Sequence, residues 1–120
     1  METSHRKLIQ YKGKTIVFHD YRGLGNQEYV AAILENSKQA EAEDYPGKLI
    51  LIDATDTIVN KEVMKTYKYI TQKASASISK CAVIGTTGIQ KLFISTISTF
   101  ANVEICPFES RDEALEWLIS

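Results

Sequence analysis

The segments KLILID (residues 48–53) and CAVIG (residues 81–85) are apolar at consecutive rather than alternate positions. A strand of that kind needs cover on both faces, the pattern of inner strands in a parallel sheet. The stretches around them switch to a helical period. Residues 26–43 place Tyr29, Val30, Ile33, Leu34 and Ser37 on one arc, residues 60–78 place Val63, Tyr67, Ile70, Ala74 and Ile78, and residues 87–100 place Ile89, Leu92, Phe93, Ile97 and Phe100. Strands over 7–11, 15–19 and 103–107 and a last helix over 111–119, with Ala114, Leu115 and Leu118 inward, complete the order. KGK at 12–14 suits a tight hairpin between the first two strands. The expected fold is therefore α/β: a five-stranded mixed sheet, an N-terminal antiparallel hairpin followed by βαβ units in sequential order, with helices mainly on one face. The other face then needs a cover of its own, whether a helix folded back, a second subunit or a ligand.

At 120 residues, without a repeat or a Pro- or Gly-rich linker, the chain reads as a single domain over 1–120. A formal net charge of −1 provides no field to attract nucleic acid or an anionic membrane. The opening METSHRKLIQY lacks a signal-type apolar run, and no stretch has the length of a membrane span, so a cytoplasmic protein is expected. Cys81 and Cys106 lack metal-type spacing and are expected to be reduced, about three residues out of step on adjacent strands.

In an open parallel sheet, the loops at the carboxyl ends of the strands gather along one edge, where ligands bind. That edge should collect HDYRGLGN, DATDT, GTTG and PFES. Asp20, Tyr21, Asp53 and Thr86 are candidates for the rim of a binding site, and Asp20 and Asp53 should end neighbouring strands. Asn60, Thr87 and Ser110 stand where helices need caps, which leaves Asp53, Thr55, Asp56 and Thr57 without an evident structural task. Catalysis finds little support. GLGNQE replaces the third glycine of a dinucleotide loop by Glu28, no Gly-x-Ser-x-Gly elbow is present, and neither His5 nor His19 stands in a nucleophile motif. His19 reads as a strand-end residue. No enzyme activity, cofactor or metal site is expected. A phosphorelay receiver is set aside, because only one helix separates Asp20 from Asp53 and ICPF lacks a lysine before its proline.

The hairpin and strand–helix order, with CAVIGTTGIQKLF and above all PFESRDEALEWL, resembles the STAS family of sulfate-transporter and anti-sigma factor antagonist domains. The similarity is to its bacterial branch, often likened to the yeast phosphatidylinositol-transfer fold. The resemblance implies a non-catalytic regulatory or protein-interaction domain that docks a regulatory protein partner or forms a homodimer. The alternative it implies is a carrier or sensor for a small apolar or lipid-like ligand. In that family a turn after the third strand carries a phosphorylated hydroxyl. The corresponding stretch is DATDTIVN, with Asp56-Thr57 the nearest match, although Ile58 and Val59 replace the second hydroxyl and the glycine. The resemblance thus points to Thr57, with Asp56 and Thr55, as candidate phosphoacceptor or partner-binding residues.

Overall fold

A computed structural model describes residues 4–43 and 45–120; the first three residues, part of the opening read for a leader, lie outside the described residues. Strands β1 (Arg6–Tyr11) and β2 (Lys14–Asp20) pair antiparallel through a turn in which Lys12 and Gly13 both take positive φ, 48° and 82°. Two successive left-handed residues match the twist of a two-residue hairpin, and the glycine accepts its φ without steric cost. The turn is one residue tighter than KGK suggests, since Lys14 already pairs with Tyr11.

Helix α1 (Asn26–Ala42), β3 (Lys48–Asp53), α2 (Lys61–Ala74), β4 (Ile78–Ile84), α3 (Gly88–Ala101), β5 (Ile105–Phe108) and α4 (Arg111–Ile119) follow. The five strands lie in the order β1-β2-β3-β4-β5, and every pair after the first is parallel. The caps form as the sequence suggests. Asn60 accepts from Val63 N–H at 2.9 Å, Ser110 accepts from Glu113 N–H at 3.2 Å, and the Gln90 amide oxygen accepts from Thr87 N–H at 3.0 Å.

One boundary differs. The second helix ends at Ala74, a 3₁₀ turn spans Ser75–Ser77, and Ile78 opens β4 instead of closing the helix. Ile78 satisfies both periods, and pairing with Lys48 decides for the strand, with a register shift just after it. The cysteines are also closer in step than expected. Cys81 pairs with Ile105, one residue before Cys106, and a one-residue offset turns the two side chains to opposite faces of the sheet. Both are free thiols.

The crossover helices α1, α2 and α3 pack side by side on one face. The second face, whose cover was open from the sequence, is closed by α4. Its Ala114, Leu115 and Leu118 pack on Ile16, Phe18, Leu51, Ala82 and Ile84. Trp117 sits half-buried at the edge of this layer, 5.3 Å from the Phe108 ring, with the Lys80 ammonium 5.0 Å over its own ring. Trp117→Ala should therefore cost about 2 kcal/mol, below the range for a fully buried tryptophan. A urea midpoint unchanged from wild type would show that the ring does not help to dock α4.

Candidate functional site

Parallel pairing puts Asp20 directly beside Asp53 at the carboxyl ends of β2 and β3, as the strand pattern suggested. The two carboxylates are not left facing each other. Arg22 donates from Nε to Asp20 Oδ1 at 2.9 Å and from Nη2 to Asp20 Oδ2 at 2.8 Å, and its Nε lies 3.8 Å from Asp53 Oδ2. The Arg22 guanidinium accordingly holds the Asp20 carboxyl below its ordinary range. Asp53 Oδ1 also accepts from the Thr55 N–H at 3.0 Å and the Thr55 hydroxyl at 2.6 Å. Such a rim is electrostatically closed: the acids serve a cation and a turn that are already in place.

The turn after β3 bends inward. Asp56 takes φ 58° and is exposed, while Thr57 is half-buried and its hydroxyl donates to the Ala54 carbonyl at 2.8 Å. Gln90 on α3 reaches the same residue, at 3.4 Å from both its carbonyl and its hydroxyl oxygen. Tyr21 is fully buried, and Thr86 is half-buried. The rim candidates therefore divide: Asp20, Thr55 and Asp56 face the edge, while Tyr21, Thr57 and Thr86 belong to the space beneath the helices.

That space is a cavity of about 410 Å³ between the sheet and helices α1, α2 and α3. Ile50, Ile52 and Val83 form its floor, and Tyr67, Ile70 and Ile94 are among its helical walls. It lies under the three crossover helices, not against the α4 face where the sequence left room for a ligand. The volume falls in the range of ligand sites, and the mixture of apolar walls with a few polar groups is the usual make-up of such sites.

The polar groups along its walls are specific. Asn36, itself buried, donates from Nδ2 to the His5 carbonyl at 3.1 Å and to the Tyr21 hydroxyl at 2.9 Å. Tyr21 in turn lies 3.4 Å from His19 Nδ1. Tyr29 and Tyr67 share a hydrogen bond of 2.7 Å between their hydroxyls, and the rings of Tyr21, Tyr29 and Tyr67 meet edge to face or tilted. Two buried atoms of cavity-lining residues, His19 Nε2 and Thr86 Oγ1, have no partner among the described residues. Burial, with the positive charge of Arg6 behind it, lowers the His19 pKa to about 3, so the ring is neutral at physiological pH.

Of these residues the sequence points only to Tyr21 and Thr86, as rim candidates; His19, Tyr29, Asn36 and Tyr67 were not read from it as site residues. The available signal was parity: His19 shares the inward face of Val17, so a polar ring falls on a strand face that otherwise packs against helices. No group of three or more His, Cys, Asp or Glu side chains able to hold a metal occurs among the described residues, and no helix there is long and apolar enough to cross a membrane.

Comparisons with known proteins agree with this geometry at the level of fold. A crystal structure of an uncharacterised protein from Shewanella loihica PV-4, with a SpoIIAA-like fold, superposes with a TM-score of 0.72 over 98% of each chain at 17% sequence identity. No curated protein matches the chain. The SpoIIAA-like family model matches residues 19–119, from the cavity histidine to the end of α4, and the chain belongs to this family of STAS-like domains.

Proposed function

We propose that this domain is a non-catalytic binding module that takes a small, mainly apolar molecule into the cavity between the sheet and α1–α3. The carrying observation is the cavity itself: about 410 Å³ in the centre of a small fold, walled by apolar side chains. Interiors are normally packed with few voids larger than a water molecule, and an empty apolar space forfeits contact energy around its whole lining. A ligand of roughly 10–15 non-hydrogen atoms would restore those contacts.

The neutral fluorophore 1-aminoanthracene tests this reading. It should bind the wild-type protein saturably and one to one. Val83 is buried on the cavity floor, and Val83→Phe extends a ring into the space, so this variant should lose binding while its stability stays within about 1 kcal/mol of wild type. Absence of saturable binding, or binding unaffected by Val83→Phe, would overturn the reading.

A second reading has its own observation. Ile58, Ile89 and Leu92 are 60%, 68% and 68% exposed near the rim turn and along the start of α3. Apolar side chains in that position favour a regulatory role through partner docking, with Thr55, Asp56 and Thr57 beside the contact and Thr57 a phosphoacceptor. Phosphorylation of Thr57 would remove its hydroxyl from the Ala54 carbonyl and so disturb both rim and cavity wall. A homodimer made through this surface would sediment as a dimer and become a monomer in Leu92→Asp. Wild type that sediments as a monomer would reject the homodimer.

A further inference from the structure

The His19 ring at the cavity wall carries its proton in a defined place. Asn36 Nδ2 is fixed as the donor end of its amide because one of its two acceptors is the His5 carbonyl, which can only accept. The same nitrogen donates to the Tyr21 hydroxyl, so the Tyr21 oxygen is an acceptor there and its own proton is free for His19 Nδ1. With Nδ1 accepting, neutral His19 holds its proton on Nε2, and that buried N–H meets no acceptor among the described residues. An unpaired buried donor is costly, and one at a cavity wall is satisfied when an occupant brings an acceptor.

Resting on the cavity reading above, we infer that the occupant is a neutral molecule with an apolar body and a carbonyl-type acceptor that takes the His19 Nε2–H. Neutral His19 offers one donor and no charge. The nearby cations are already engaged: Arg6 makes a two-point ion pair with Glu43, the cavity-lining Lys73 pairs with Glu41, and Lys48 Nζ donates to the Ala40 carbonyl at 3.0 Å. A carboxylate in this space would lose its hydration without gaining a free cation, which an uncharged acceptor avoids. The Thr86 hydroxyl both donates and accepts, so it tolerates either kind of group and does not set the class. Tyr21 and Asn36 act as positioning residues, since they choose the His19 tautomer.

The test displaces 1-aminoanthracene with 2-octanone and with octanoate at neutral pH, in wild type and in His19→Leu. The expected result is that 2-octanone competes better than octanoate and loses about tenfold in affinity in His19→Leu, while 1-aminoanthracene binds both proteins alike. Should His19→Leu not fold, nitrogen-15 spectra of the wild-type imidazole decide: 2-octanone should shift the His19 Nε2–H resonance, and Tyr21→Phe should redistribute the proton between the two ring nitrogens. Octanoate competing as well as or better than 2-octanone, unchanged 2-octanone affinity in His19→Leu, or a His19 resonance that ignores 2-octanone would overturn the inference and leave the cavity reading standing. Failure of 1-aminoanthracene to bind wild type would instead remove both.

Discussion

Gly85→Ala should destabilise the protein by about 4 kcal/mol or more, measured as a drop in urea midpoint at constant slope. Gly85 directly follows β4 and takes φ 80°, where a side chain is already strained. A Cβ built there would lie 2.1 Å from the Thr55 hydroxyl and 2.6 Å from the Thr55 backbone nitrogen. The backbone cannot retreat cheaply, because Ala54 N–H donates to the Ile84 carbonyl at 2.9 Å and Thr55 is tied to Asp53 through both its N–H and its hydroxyl. The close approach draws the turn after β3 over the end of β4, which places Thr57 and Thr86 at the cavity. A variant as stable as wild type would show that the turn is loosely held and that the cavity wall is not set by this contact.

Glu43→Gln should cost about 3 kcal/mol, the second large effect. Arg6 is a buried cation at the first residue of β1, only 2% exposed, and it meets Glu43 through two bonds of 2.9 Å and 2.6 Å. A neutral amide leaves the guanidinium buried with part of its compensation gone, which is the expensive way to break such a pair. The pH dependence has a definite sign. The Arg6 guanidinium lowers the Glu43 pKa from 4.5 to about 2 in the folded protein. Stability from this pair is therefore complete above about 4.5 and is lost as the pH falls through the interval down to about 2. Acid titration of the wild-type unfolding free energy should show this loss, and Glu43→Gln should flatten it. An acid limb of the same steepness in both proteins would contradict the role given to the pair.

Much of the architecture was legible because period and composition report burial along most of the chain, although Leu34 on the first arc and Ile89, Leu92 and Phe100 on the third are exposed. The doubly apolar β3 and β4, the three amphipathic arcs and the caps at Asn60 and Ser110 carry the strand order in local chemistry. Ile78 shows the limit of that reading: it fits a helical arc and a strand start equally well, and a partner thirty residues earlier, Lys48, decides. The cover of the second face was posed by the sequence as a question because α4 is short and docks across strands distant in sequence. The rim was legible as a place and not as a chemistry. Nothing in HDYRG shows that Arg22 will turn back onto Asp20 and reach Asp53.

The cavity was the least legible feature. Ile70, Tyr67 and Ile97 read as core residues, and they are; that they enclose a space instead of filling it depends on how three helices stand off one sheet. The same holds for His19, whose tautomer depends on Tyr21 and Asn36. Periodicity places each of these side chains on an inward face and is silent about the volume left among them.

The most direct test of the account is to locate a bound probe. With 1-aminoanthracene in solution with isotope-labelled protein, intermolecular nuclear Overhauser contacts should fall on Ile50, Tyr67, Val83 and Ile94, the floor and walls beneath α2 and α3. Contacts confined to Leu115, Leu118 and Phe108 on the α4 face, or to exposed Ile89 and Leu92, would contradict it.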